Sequence, residues 1–320
     1  MFLCVNGAKP MTSLSNPIYH DEDKAREHIE ASRWPDGVTC PHCGSLDTMR
    51  MAGKTQAGMF LCRDCRDKFT CRTGTVMERS HIPLRKWLLA LHLMASSKKG
   101  VSAHQLMRNL ELGSYRTAWF MAHRIREAMN DENPTDANGM GGPNEVVEVD
   151  ETFIGGKAKN RAYRAPAPKK AVMSLIERDG HVRSFHVANV TAKTLRPIIV
   201  KHASRKSTLM TDEAPVYSAI GDEFAAHRTV NHSANEYVKT GGYVHTNTAE
   251  GFFSVLKRGT NGIYQHVSEA HLHRYLAEFD FRHNNRIKLG VNDTDRAARI
   301  LKGTEGKRLT YQQPREAAHA

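Results

Sequence analysis

The sequence predicts a mixed α/β domain preceded by two smaller modules, and three observations predict it. Two Cys-x2-Cys pairs fall between Cys40 and Cys65. From Leu84 to Asn130 apolar residues recur at three- and four-residue spacing, the period of amphipathic helices. From Val146 onward β-branched runs separated by turn residues give way to a helical stretch and a further strand, the order of a mixed α/β domain. The chain therefore divides into an N-terminal segment (1–32), a ribbon (33–80), a helical module (81–130), a linker (131–144), an α/β domain (145–302) and a tail (303–320).

Composition limits the function classes. The 320 residues carry 46 Lys and Arg against 34 Asp and Glu, a net charge of +12. A hydrophobic share of 40% with 25% charged residues fits a folded chain rather than a disordered one. The longest apolar run, Trp87 to Ala95, contains a His and falls far short of the roughly 20 residues of a membrane helix. No membrane role is expected. The opening Met-Phe-Leu-Cys-Val-Asn-Gly lacks the basic and apolar regions of a secretory signal. Met11 resembles a natural start better than Met1 does. The charge excess points to a polyanion, nucleic acid first, with an uninvolved basic surface as the alternative.

Cys40-x2-Cys43 and Cys62-x2-Cys65, 18 residues apart, have the spacing of a four-thiolate zinc ribbon. Each short turn presents two thiolates, and two turns complete a tetrahedron. Gly44 suits the tight turn after Cys43, and Met59-Phe60-Leu61 reads as a strand of a small sheet. Four thiolates make one zinc ion structural rather than catalytic. Two disulfides would be the alternative, but nothing else in the sequence suggests export. Cys4 and Cys71 lie outside the pattern.

In the helical module, Leu84, Trp87, Leu88, Leu91 and Met94 or Ala95 form one apolar face, starting after Pro83 and closed by Lys98-Lys99-Gly100. Ser102 caps a short second helix carrying Leu106 and Leu110. Ser114 caps a third, with Ala118, Met121, Ile125 and Met129 on one face and Arg116, His123, Arg124 and Arg126 largely away from it. The arrangement suits a helix-turn-helix whose third helix contacts DNA through Arg116 and Arg124. A plain three-helix bundle is the alternative.

In the α/β domain, strands are expected over Val146–Ile154, Ala171–Ile176 and Val182–Val190, the last two joined by a hairpin at Asp179-Gly180. A helix over Ala192–Ala203 and a strand over Ser207–Thr211 that delivers Asp212 follow. Three carboxylates stand out: Asp150 within a strand, Asp212 at a strand end, and Glu250 on a helix with Lys257 two turns further on the same side. Alternation puts Glu148 on the face of Asp150 and sends Glu151 to the other. A second apolar helix is expected over Ser268–Asn284.

Taken in order, these features resemble bacterial insertion-sequence transposases that join an N-terminal zinc ribbon to a D-D-E catalytic domain of ribonuclease-H-like fold. The resemblance spans about residues 14–312. It rests on Cys40-Pro-His-Cys43, Cys62-Arg-Asp-Cys65, Phe69-Thr-Cys-Arg-Thr-Gly-Thr-Val76, Val149-Asp150-Glu-Thr-Phe-Ile-Gly-Gly-Lys157, Thr211-Asp212-Glu213, and His245-Thr-Asn-Thr-Ala-Glu250 through Lys257-Arg-Gly259. It implies that Asp150, Asp212 and Glu250 are the metal-binding acids, Lys257 their basic companion, and two Mg2+ (or Mn2+) the cofactors. Asn247, just upstream, is the alternative third ligand, because some members use Asn there. It further implies a cytoplasmic, nucleoid-associated enzyme that acts on transposon ends and target DNA as at least a dimer.

Paired hard cations on carboxylates suit phosphodiester hydrolysis followed by 3′-hydroxyl strand transfer. Between the first two strands, Lys157, Lys159, Arg161 and Arg164 lie in a stretch with no acid from Gly155 to Lys170, and they read as a DNA grip or as a solvated loop. Arg258 joins Lys257 as a DNA contact. His245 supports the site or is merely structural, and Phe281–Arg286 touches DNA or caps its helix. Two other functions remain: a catalytically inactive DNA-binding regulator, and a metal-dependent nuclease that cuts without joining.

Overall fold

A computed structural model describes residues 13–53, 56–130, 139–155, 168–230 and 245–310. The chain forms two units, one of residues 1–96, 103–128 and 292–320, the other of 97–102 and 129–291.

The first unit begins with α1 (Glu22–Arg33), whose N-cap Asp21 accepts from the backbone N–H groups of Asp23 and Lys24. Strands β1 (Thr48–Arg50), β2 (Met59–Cys62) and β3 (Lys68–Thr70) pair antiparallel in that order. Phe60 and Phe69 stack against each other, with Trp34 edge-on to both. This small core holds the metal knuckles together. Helices α2 (Leu84–Ser96), α3 (Ala103–Asn109) and α4 (Tyr115–Met129) follow as the periodicity predicts. Gly100, at φ +102°, takes the left-handed conformation expected soon after a helix end. Ser114 Oγ accepts from Thr117 N at 3.2 Å, capping α4 as anticipated.

Two expectations about α4 and the domain boundary change. His123 and Arg126 are buried, not turned away from the apolar face; α4 is covered on more than one side, so a single apolar stripe understates its burial. The C-terminal helix is placed with the α/β domain by sequence, yet it packs in the first unit, against α2 and α1. There Ile300 and Leu301 are buried, and Arg296 donates to Ala95 O at 3.0 Å.

The second unit is built on a five-stranded sheet. Its strands are β4 (Val146–Ile154), β5 (Lys170–Glu177), β6 (Val182–Val187), β7 (Thr208–Asp212) and β8 (Ala226–Val230). Their order is β6-β5-β4-β7-β8, with β5 antiparallel to both β4 and β6, and β7 and β8 parallel to β4. This is the ribonuclease-H-like arrangement. Asp179, at φ +64°, turns the predicted hairpin. β6 ends at Val187, three residues earlier than expected, and β8 was not anticipated because an exposed edge strand reading Ala-His-Arg-Thr-Val has no apolar alternation.

Helices α5 (Ala192–His202) and the short α6 (Ser218–Gly221) cover one face of the sheet, where Val147, Val149, Leu195, Ile199 and Tyr217 are buried together. Helices α7 (Asn247–Gly259) and α8 (Glu269–Asn284) cover the other, around Ile154, Val172, Phe252, Leu256 and Leu276. The final helix, α9 (Asp293–Lys302), belongs to the first unit.

Candidate active site

The pleat of β4 sorts its acids. Glu148 is fully buried toward α7, whereas Glu151 faces the α5–α6 layer and accepts from the Tyr217 hydroxyl. Asp150, alternating with Glu151, lies on the α7 side. β7 runs parallel to β4 with Glu148 opposite Met210. Continued by two residues, that register sets Asp150 level with Asp212, the last residue of β7. Asp212 Oδ1 accepts from Ala214 N at 3.1 Å as the chain turns out of the strand.

Glu250 lies in the first turn of α7, on an exposed position. The buried side of that helix is Ala249, Phe252, Phe253, Leu256 and Gly259. Lys257 and Arg258 are exposed two turns further along, and Arg258 Nε also donates to Ser254 O at 3.1 Å. Asn247 occupies the first position of the same helix.

The electrostatics draw the acids together. Burial, joined by the charges of Glu151, Asp212 and Glu250, pushes the Asp150 carboxyl up to about 7, against the opposing hydrogen bond from Glu151 N. That bond measures 2.8 Å. Burial also raises Glu151, with Asp212 adding to the rise. Asp150 thus feels the charges of Asp212 and Glu250, and a divalent cation held by these hard oxygen donors would relieve that repulsion. They are more open than the thiols: among the described residues, only Cys40, Cys43, Cys62 and Cys65 form a group whose ligand atoms all lie within 4.8 Å of one another.

Those thiols fit zinc. Cys40 and Cys65 Sγ are 3.7 Å apart, and Cys43 and Cys62 Sγ 3.6 Å. A tetrahedron with arms of about 2.3 Å needs about 3.8 Å. Backbone N–H groups of Cys65 and Asp64 lower the Cys62 thiol, while Cys43 and Cys65 are raised by the crowding of the other thiols, a shared proton load that a bound cation would remove. Gly44, at φ +79°, makes the first knuckle turn. The Cys71 thiol is instead pushed up to about 11 by burial and takes no part.

Sequence reasoning missed a buried network behind the acids. Arg178, the first residue of the β5–β6 turn, donates Nε and Nη2 to Glu148 Oε1 at 3.2 and 3.0 Å. The same Nη2 reaches His245 O at 3.1 Å, and His245 Nδ1 lies 3.4 Å from Glu148 Oε1. Thr248 N and Ala249 N donate to Glu148 Oε2 at 3.0 and 3.1 Å, and Thr248 Oγ1 to Oε1 at 3.0 Å. Alternation placed Glu148 correctly, but nothing in the sequence pairs it with Arg178.

Of the basic residues expected on DNA, Arg116 is exposed near the start of α4. Arg124 is half-buried, donates to Glu78 O and Leu309 O at 3.1 and 3.3 Å, and lies over the Phe120 ring. Both line a groove in the first unit together with Arg79, His81 and Phe120. Lys157, Lys159, Arg161 and Arg164 lie outside the described residues. At the end of α8 the roles are structural: Asn284 bonds Val182 through both backbone groups, and Arg286 donates to Gly180 O at 2.9 Å.

Comparison with known proteins agrees with this architecture. Residues 142–284 match an ISXO2-like transposase domain, and residues 20–68 a transposase zinc-ribbon domain. Both stretches are similar to transposase domains. A relative described as an uncharacterized protein in transposable element ISH50 of Halobacterium salinarum is 28% identical over 82% of this chain and 90% of its own length. Likeness to solved structures is slight. A simian T-cell lymphotropic virus intasome complex matches at TM-score 0.28 and 17% identity over 55% of this chain, and the chain spans 63% of that protein's length. The Drosophila P element transposase strand transfer complex matches at TM-score 0.26 and 12% identity, over 68% of this chain and 62% of that one. Among the described residues no helix is long and apolar enough to cross a membrane.

Proposed function

We propose that this chain is an active DNA transposase that cuts the ends of its element and joins them to target DNA. The observation that carries the reading is the parallel register of β4 and β7, which sets Asp150 level with Asp212, with Glu250 in the first turn of α7 on the same side of the sheet. Burial, with smaller additions from the charges of Glu151, Asp212 and Glu250, raises the Asp150 carboxyl to about 7. Asp150, Asp212 and Glu250 would hold two Mg2+ (or Mn2+). When bound, these ions supply charge neutralisation at the scissile phosphate and activation of the attacking oxygen. Glu250 rather than Asn247 is the third ligand, because a carboxylate on the helix offers a hard divalent cation the negative charge that an amide lacks.

In the first step a water oxygen bonds to phosphorus and the bond to the 3′ oxygen breaks, leaving a 3′ hydroxyl. In the second that hydroxyl bonds to a target phosphorus and displaces the target's own 3′ oxygen, which takes up the released proton. One phosphodiester replaces another, so no covalent enzyme intermediate is needed. The Lys257 ammonium holds a backbone phosphate beside the acids as a point charge. Arg258, Arg116 and the stretch with Lys157, Lys159, Arg161 and Arg164 grip DNA, and Arg124 adds its charge to the lining of the α4 groove. Joining two ends calls for at least a dimer on DNA.

The test uses the DNA flanking the gene, with nicking and joining scored separately. Products of both kinds are expected with Mg2+, and binding without cleavage with Ca2+. Nicking without joining would leave a nuclease, and binding alone a regulator.

A further inference from the structure

We infer that Glu148 is a positioning residue that fixes the start of α7, and with it Glu250, against the strand that carries Asp150. The inference deepens the reading of Asp150, Asp212 and Glu250 as metal-binding acids and rests on it. A helix begins with N–H groups that have no partner inside it. In α7 the first intrahelical bond is Glu250 N to Thr246 O at 3.1 Å, and the N-cap Thr246 makes no side-chain cap bond. The amides of Thr248 and Ala249 therefore need an outside acceptor. Glu148 supplies it, one oxygen taking both amides and the other the Thr248 hydroxyl.

The clamp ends one residue before Glu250 and starts two residues before Asp150, on the same face of β4. One carboxylate thus joins the two elements whose acids must meet at a metal, although they are a hundred positions apart in the chain. Its negative charge also faces the positive end of the α7 dipole. Arg178 completes the device. A fully buried carboxylate without a cation is costly, and a buried ion pair rarely adds net stability over an apolar pair. The Glu148–Arg178 pair is therefore better explained by the geometry that it enforces than by the stability it adds.

The experiment compares Glu148→Gln and the charge-balanced Glu148→Gln/Arg178→Met with the wild-type full chain. Hydrogen exchange is read at the Thr248 and Ala249 amides without divalent ions. The Mg2+ concentration for half-maximal cleavage and DNA affinity in Ca2+ are also read. Both variants are expected to exchange those two amides at least about tenfold faster while β5 stays protected. Both should need about tenfold more Mg2+, the scale at which groups that orient metal ligands act, with DNA affinity unchanged. The double variant keeps the fold intact by leaving no orphan cation, so a Mg2+ requirement that returns to the wild-type value in it would reduce Glu148 to a stability role and overturn the inference. Wild-type exchange at both amides would overturn it too. Asp150→Asn is run in parallel: wild-type joining in that variant refutes the acid assignment instead, and leaves the exchange result to judge the clamp.

Discussion

Ala249 N donates to the fully buried Glu148 carboxylate at 3.1 Å, tying the first turn of α7 to the middle strand of the sheet. The bond lies wholly within the second unit, as do Asp150, Asp212, Glu250 and Lys257. The acids are therefore assembled by their own sheet and helices. The zinc ribbon belongs to the other unit and to a different task.

That separation makes zinc removal selective. Replacing Cys43 with Ser, or adding a strong chelator, should take the zinc content from one ion to none and unfold β1–β3, since metal binding supplies most of the folding energy of so small a core. Exchange protection in β5 should persist. A circular dichroism trace indifferent to chelation would contradict the four-thiolate site.

Lys257 is exposed and two turns from Glu250, so its loss should weaken DNA rather than the fold. Lys257→Ala is expected to lower cleavage about tenfold or more, to reduce the salt dependence of DNA binding by about one phosphate contact, and to leave the thermal midpoint within a degree or two. Salt titration of binding by the wild type and the variant checks this. An unchanged salt slope with full cleavage would remove Lys257 from the site.

Acid should remove the contribution of His283 to the second unit. Burial, aided by Arg286 and His181, holds its pKa down to about 4, and it stands edge-on to Phe252 of α7. The folded chain keeps the ring neutral where the unfolded chain protonates it, so its contribution is complete above about 6.5 and is lost as pH falls toward 4. The loss is at most about 1.4 kcal/mol per pH unit. Asp280, which burial raises to about 7, has the opposite sign, its contribution being lost as pH rises from 4 toward 7. The difference between wild type and His283→Gln isolates the histidine: from pH 7.5 to 4.5 the variant should gain on the wild type. A difference constant with pH would contradict this.

Much of the chain was legible because its signals are local. Cys40-x2-Cys43 and Cys62-x2-Cys65 give the ribbon directly, Pro83 and Ser114 mark the starts of α2 and α4, and Asp179-Gly180 marks the hairpin. Strand alternation correctly separated Glu148 and Asp150 from Glu151. Long-range relations were not legible: Arg178 meets Glu148 only through the fold, and β8 is an edge strand without an apolar pattern. The helix α1 did leave a signal, Asp21 ahead of Glu22 and Asp23 with Ala25 and Ile29 four apart, which the N-terminal partition overlooked.

The boundary at residue 302 went wrong for a similar reason. No helix is expected over 293–302 from the sequence, and nothing local says which core Ile300 and Leu301 enter. Because Ile300 is fully buried in the first unit, Ile300→Ala should cost that unit about 2–5 kcal/mol while exchange in β4 and β5 stays slow. Loss of protection in β4 and β5 instead would return α9 to the catalytic domain.

The central claim is that Asp150, Asp212 and Glu250 act together as the metal-binding acids of strand transfer. Its most direct measurement is joining of a precut 3′-hydroxyl transposon end to target DNA in Mg2+, by wild type and by Asp150→Asn. The predicted result is a loss of at least about a thousandfold in joining, with the variant still folded and still binding the DNA end. Joining by Asp150→Asn at the wild-type rate would contradict the account.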